Sequence, residues 1–461
     1  MTRLLLNRRA PRFRDERLTV NCLMSSNQYN SVDAEGSYSL LDVKGAELGK
    51  GDAKIVLAGE ALELRPLNGP YRLFPLQDII FINSANYRID IAMQDGRRLR
   101  LSMLGRRYED IVRELHRMRN ELIMRNMLMS EKLRKPGVKV ELRPFRGAEG
   151  PCEVRLYDTA LVLLPLRHGI LRVRYSDIEG IEARNFMLHI SLSSGELIVL
   201  TMLGREMDPL WGAISTAMAE LAKETQLTIK SAYPQADGEV LNAASRLLRE
   251  GRAARRWEIE DVSPALWKGL EEEVAARGMG AEYAYLSSLG KGNMVRIGIK
   301  RSISSDGTYV WFMIPILGPH GNAVVMEATS SVDTGRATYF FRISPRAAYA
   351  AMSEEAREDA ADRCMDMITT GLREINFRRQ PIYLTDQQLR LEPWKKYRFS
   401  ALMIPELREL RARFIGRVAH TSEEEWKTKV NQLLAFNTSS LDDAERWGSA
   451  EDELGEEGEG I

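Results

Sequence analysis

From about residue 39 to residue 103, hydrophobic and polar positions alternate with a period of two, and turn residues break the alternation at short intervals. That pattern predicts strands buried on one face. They fall near 39–43, 54–58, 61–66, 71–75, 79–83, 87–93 and 97–103, and Asp95-Gly96 forms the hairpin before the last. The period then changes to that of a helix, from about Glu109 to Lys132, stopping before Pro136.

The same pattern occurs again 99 positions later. Residues 61–106 lie on 160–205 without a gap, and 16 of 46 positions are identical, including Asp78/Asp177, Asn86/Asn185, Gly96/Gly195 and the run Met103-Leu104-Gly105-Arg106 with Met202-Leu203-Gly204-Arg205. Average residue usage would give about three identities by chance. A duplicated domain follows. In the second copy Ser194-Gly195 marks the hairpin, and Asp208 with Pro209 opens the helix.

Seven strands followed by one helix is the element order of the pleckstrin-homology fold. With the segments FPLQDIIFI and VRYSDIEGI, the chain over about residues 36–230 resembles bacterial PH-like and GRAM-type domains. The resemblance implies two bent seven-stranded barrels, each plugged by its C-terminal helix. It also implies non-catalytic recognition of lipid headgroups, peptides or proteins. Tandem PH-like pairs occur in histone chaperones as well, where acidic tails are common. The loop between the first two strands, KGAELGKGDA, offers only Lys44 and Lys50 and departs from the phosphoinositide-binding pattern.

Beyond residue 235 the pattern is mixed. Helices are predicted near 236–253 and 264–277, the second opened by Ser263-Pro264. Four strands follow, in MVRIGIKRSIS, TYVWFMIPIL, NAVVMEATSS and RATYFFRIS; then come a long helix over 353–374 and an extended piece, INFRRQPIYL. Two helices close the region, PELRELRARFIGRV and TSEEEWKTKVNQLLAF, with Thr421 and Glu424 set as a capping box. The expected fold class is therefore multi-domain β and α+β. A basic, partly flexible arm (1–35) precedes two PH-like repeats (36–134 and 135–230), an α+β module (236–440) and an acidic disordered tail (441–461).

The copies differ on their surfaces. In the last strand of copy one, Arg98, Arg100 and Ser102 share the face expected to meet water. Copy two has Leu197, Val199 and Thr201 there, and its helix, MDPLWGAISTAMAELAKE, is apolar around most of its circumference. Such a helix is expected to be buried on all sides. Leu197, Val199 and Trp211 are therefore the candidate interface residues, and packing inside the chain is preferred to an oligomer contact.

Charge sharpens the contrast. Lys+Arg and Asp+Glu both number 65, yet residues 97–146 hold fifteen basic and six acidic residues. Arg98, Arg100, Arg106 and Arg107 are the candidate anion-binding residues within that stretch, which also contains Arg119. Anionic lipid or nucleic acid is the implied alternative partner. Residues 1–20 carry six arginines and two acids, while 441–461 carry nine acids and one arginine. Arginines 408, 411, 413 and 417 are read as exposed helix positions.

Three widely spaced cysteines and five histidines show no metal or redox spacing. A reducing, cytoplasmic location is expected, and no apolar run approaches the ~20 residues of a membrane helix. Phosphate-loop, nucleophile-elbow and zinc-protease motifs do not occur. Asp333-Thr334-Gly335 and Leu289-Gly290-Lys291-Gly292-Asn293 read as turns, His320 and His420 as exposed, and Glu327 as an outward-facing strand residue. The expectation is a non-enzymatic scaffold that binds a protein, with no cofactor and no metal. An unrecognised catalytic site in 236–440 is the rival.

Overall fold

A computed structural model describes residues 31–127, 131–301, 308–318, 321–330, 336–391, 393–439 and 442–448. The first repeat contains β1 (Val32–Leu41), β2 (Glu47–Ala58), β3 (Ala61–Pro66), β4 (Arg72–Pro75), β5 (Ile79–Ala85), β6 (Arg88–Met93), β7 (Arg98–Ser102) and α1 (Tyr108–Met127). The second contains β8 (Leu133–Phe145), β9 (Ala148–Tyr157), β10 (Ala160–Pro165), β11 (Leu171–Arg174), β12 (Ile178–Arg184), β13 (Met187–Leu192), β14 (Leu197–Thr201) and α2 (Met207–Ala232). Each set of seven strands is one curled antiparallel sheet. The orders, β4-β3-β2-β1-β7-β6-β5 and β11-β10-β9-β8-β14-β13-β12, are the same.

Irregularities repeat with the strands. A register shift falls between Ile79 and Phe81 and again between Ile178 and Gly180. Asn86-Tyr87 and Asn185-Phe186 are left-handed in both turns, as are Met103 and Met202. Gly96 and Gly195 have φ of 83° and 82°, the conformation that a hairpin turn requires and that a Cβ disfavours. Inside each sheet, the alternate apolar residues of the strands form a core closed by the helix, through Ile111, Val112 and Leu115 in one repeat and Leu210, Ile214 and Ala217 in the other.

The rest of the chain builds a third sheet between two layers of helices. In order come α3 (Gly238–Leu247), β15 (Ala254–Arg255), α4 (Arg256–Val262), α5 (Pro264–Val274), α6 (Gly280–Leu289), β16 (Arg296–Arg301), β17 (Thr308–Ile316), β18 (Ala323–Ser330) and β19 (Ala337–Arg342). Then follow α7 (Arg346–Ala351), α8 (Glu354–Glu374), α9 (Gln380–Tyr383), α10 (Lys395–Met403), α11 (Pro405–Arg413), β20 (Phe414–Ala419) and α12 (Glu423–Ser439). The sheet runs β15-β16-β17-β18-β19-β20. One face packs on α8 to α11 through Met313, Met326 and Phe341; the other packs on α5 and α12 through Phe312, Val325 and Phe340. The far end of α2 enters that second core with Ile229, so one continuous helix belongs to both repeat two and the module.

Several sequence expectations need correction. The segment PELRELRARFIGRV is not one helix: it ends at Arg413, and Phe414–Ala419 pairs with β19. A Cβ on Gly416 would lie 3.0 Å from the Trp447 carbonyl oxygen, so glycine admits that close approach. INFRRQPIYL is not extended through its length, because Pro381 occupies the first turn of α9. The cap of α12 is Ser422, which accepts from the Glu425 amide at 3.3 Å, one residue later than the Thr421 and Glu424 box. Helix α1 is described through Met127, and Glu131 and Lys132 are not helical, so it stops short of Lys132.

Candidate functional site

Both repeats dock on the module through the corner after their fourth strand. A 3-10 turn there carries Asp78 in repeat one and Asp177 in repeat two. Asp78 pairs with Arg398 at 2.8 Å, and Asp177 pairs with Arg373 at 3.1 Å. This explains the Asp-Ile pair shared by FPLQDIIFI and VRYSDIEGI, which the sequence reading used for resemblance but did not treat as contact residues.

Around Asp177 the contact becomes a buried seam. Arg172 and Arg174 of β11 bind Glu374, and Arg172 also binds Glu131. Ser176 donates to Glu250 at 2.5 Å, and Arg373 reaches the same carboxylate at 3.1 Å. Burial opposes charge on Glu250, but Arg373, Arg174 and Lys300 outweigh it and hold the carboxyl at about 2. Lys300 is enclosed in the seam, and burial lowers its ammonium to about 8.

The second repeat is enclosed on another side as well. Every residue of β10 is buried, and Val162 and Leu164 pack on Met124 of α1. Between α1 and the β9–β10 edge lies a groove of about 300 Å³. Val140, Cys152, Leu164 and Pro165 form its apolar lining, and Arg113, Arg117 and Lys139 are basic residues along it. Arg155, also in the groove, is held by Glu121 at 2.8 Å and by Glu153. Arg117 pairs with Glu114. Arg113 and Lys139 are exposed and pair with no carboxylate among the described residues. The Cys152 thiol is pushed up to about 12 by burial, so it is an apolar wall and not a nucleophile.

Of the sequence-predicted anion-binding residues, all four are exposed. Arg100 pairs with Asp90 at 2.6 Å and Arg107 with Asp110 at 3.3 Å, while Arg98 and Arg106 have no acidic partner among the described residues. Arg119, in the same basic stretch, is buried and donates to the Ile79 and Ile80 carbonyls. The predicted interface residues are not enclosed by the chain: Leu197 is 45% and Trp211 43% exposed, and Val199 is half-buried. Helix α2 buries a stripe and not its whole circumference, because its small residues, Gly212 and Ala219 among them, need no cover. Repeat two is enclosed at β10 and β11, and not at β14.

A last constellation corrects two expectations. Glu327 is fully buried and His420 is nearly so. The imidazole lies 2.6 Å from Glu327 and 3.1 Å from Glu282. Thr338 donates to Glu327 at 2.6 Å, Trp426 donates to Thr338 at 2.9 Å, and the Trp426 ring stacks on His420. Burial disfavours the imidazolium, but the two carboxylates raise it to about 9. A histidine held charged between two carboxylates is an ion cluster and not a general base at neutral pH. Glu327 is the one charge in an apolar strand run, which was the available signal. Arginines 411, 413 and 417 are half-buried, Arg411 against the carbonyls of α9, and only Arg408 stands in water. His320 and Asp333-Thr334-Gly335 lie outside the described residues, as do the acidic tail from 449 and the arm through residue 30.

No family model and no curated protein matches this chain. Among solved structures, the C-terminal domain of an unknown protein from Leishmania infantum is similar at 13% identity over 22% of this chain and 96% of its own length, with a TM-score of 0.19. A likeness of that size carries no argument. Among the described residues no helix is long and apolar enough to cross a membrane.

Proposed function

We propose that this chain is a non-enzymatic binding scaffold in which two PH-like domains, fixed to one α+β module, recognise a protein partner. The observation that carries the reading is the groove between the repeats, with apolar walls, basic residues at its edge and open space of about 300 Å³. It combines the features of a peptide site, an apolar anchor point beside a few placed charges. Seven antiparallel strands in one order, each set followed by a helix, support the PH-like assignment. The exposed Leu197 and Trp211 supply a second contact area for the partner. Buried, uncrosslinked Cys152 and Cys364 suit a reducing, cytoplasmic compartment.

The test is photo-crosslinking in native extract from a benzophenone side chain at Leu166, at the groove, with Leu67 on repeat one as the control position. A defined protein captured from Leu166 and absent from Leu67 supports the reading. The same background from both positions overturns it. The exposed Arg98 and Arg106, unpaired among the described residues, favour a second reading, an anionic surface as ligand, and anionic vesicles or duplex DNA would then bind with strong salt dependence.

A further inference from the structure

We infer that the inter-repeat groove is the docking site of this chain's own acidic segment, residues 449–461. The inference rests on the groove being a site for protein segments and names its occupant. Two features match. The groove offers Val140, Leu164 and Pro165 as walls and has Arg113 and Lys139 without carboxylate partners among the described residues. Its own acids, Glu121 and Glu153, are already engaged by Arg155. The segment SAEDELGEEGEGI holds six acids, no cation, and two large apolar residues, Leu454 and Ile461, each close to glutamates. Apolar anchors flanked by negative charge are the complement of apolar walls flanked by positive charge.

The geometry permits the contact. The described chain ends at Gly448, just after Trp447, whose amide donates to the Ile415 carbonyl on β20 at 2.8 Å. Arg446 donates to the Tyr383 carbonyl of α9 at 3.2 Å. Helix α9 packs on α10, and α10 packs on α1, where Arg119 meets Met403. At about 8–10 Å between packed helices, the groove helix lies roughly 20–30 Å from that exit point. Thirteen extended residues span up to about 45 Å. Tethering places the segment at about millimolar effective concentration, so a weak site is filled. An acidic partner must then displace the segment before it binds.

The probe is a fluorescent synthetic peptide of residues 449–461, its binding read by anisotropy at low and high salt. The proteins are the full chain and a full chain whose six tail acids are changed to Gln or Asn. The neutralised chain is expected to bind the peptide about tenfold or more tightly than the native chain, since its groove is vacant. Adding Arg113→Glu and Lys139→Glu to it should remove that gain, and Leu166→Glu at the groove should do the same if the double variant is impaired in folding. A peptide with Leu454→Ser and Ile461→Ser should bind about tenfold more weakly, as expected for two lost apolar anchors. Equal binding by that peptide, binding indifferent to Arg113 and Lys139, or benzophenone crosslinks from the peptide to residues 1–30 and not to the groove would each overturn the inference. A protein captured from Leu166 when the tail peptide fails to bind leaves the scaffold reading standing and removes this one; the converse result removes the scaffold reading alone.

Discussion

The two repeats share strand order, the bulge on β5 and β12 and turn conformation, yet the same edge of each sheet has a different fate. On β3 of repeat one, Glu63 and Arg65 face outward and pair with each other at 2.5 Å. The equivalent residues on β10 are Val162 and Leu164, packed against α1. On β4, Leu73 is half exposed; its counterpart on β11 is Arg172, which with Arg174 is locked into the module. Only the corner aspartate does the same work in both copies. Duplication therefore preserved the residues that make the sheet and exchanged those that decide what the sheet touches. The exposed edge and the enclosed one differ in four side chains on the same β3–β4 and β10–β11 register.

The largest test removes a seam charge. Glu374→Ala strands Arg174 and Arg172 without their shared carboxylate, and breaking a buried pair costs about 3–5 kcal/mol. Asp78→Ala at the repeat-one corner breaks a partly exposed pair and should cost about 1 kcal/mol. Urea unfolding of both variants measures the difference. Equal costs would mean that the two docking corners are equivalent.

Exchanging the edges is the next test. Val162→Glu places the repeat-one residue under α1, opposite Arg155 and Arg172 on the neighbouring strands; both arginines are already held by carboxylates, so the added buried charge should cost about 3–4 kcal/mol. Glu63→Val, the reverse change, stays near the surface and should fall within about 0.5 kcal/mol. Thermal unfolding of the pair checks it. Val162→Glu at no cost would show that the repeats do not pack through β10.

The module carries the enclosed-charge design further, and pH reads it. With His420 raised to about 9 from an ordinary 6.5, its stabilisation is complete below about pH 6.5 and disappears as pH rises through about 9. Glu282 is held below its ordinary value chiefly through His420, against the opposing effect of burial, so its contribution is lost as pH falls below about 4.5. His420→Gln should cost about 2–3 kcal/mol near pH 6 and lose most of the decline in stability between pH 7 and 9. A wild-type profile flat over that range would remove the charged-imidazole assignment.

How much of this was legible follows from which forces are local. Strand alternation, the Asp95-Gly96 turn and the ungapped repeat were plain because sheet period and turn chemistry act within a few residues. The end of α11 was missed because Phe414–Ala419 has its strand partner 77 residues earlier, on β19. His420 and Glu327 were each read as exposed because their partners lie 93 positions apart, joined only when β18, β19 and β20 align. Arg119 was read with the surface arginines because its carbonyl partners, Ile79 and Ile80, lie about 40 residues earlier, on β5 of the curled sheet. The enclosure of repeat two was anticipated from its apolar excess. The excess that is actually covered, however, was Val162 and Leu164, and not Leu197 and Trp211.

The smallest expected effect concerns the arginines of repeat one, where charge is exposed and not enclosed. Arg98 and Arg106 are exposed without acidic partners among the described residues, and Arg100 and Arg107 make surface pairs. Changing Arg98 and Arg106 to Glu breaks no ion pair among the described residues and should move stability by no more than about 0.5 kcal/mol each. Adding Arg100→Glu and Arg107→Glu loses two exposed pairs of about 0.2–1 kcal/mol apiece and sets Glu against Asp90 and Asp110. Folding should still be intact, in contrast to the single change at Glu374. The same quadruple variant reads ligand binding separately from stability. If these residues meet phosphates, each lost contact lowers the slope of affinity against salt by about one for duplex DNA. Anionic vesicles and duplex DNA measured over a salt series give that slope. Unchanged binding by a folded quadruple variant would leave the four arginines as solvated surface, and the contrast between the repeats would then be one of packing alone.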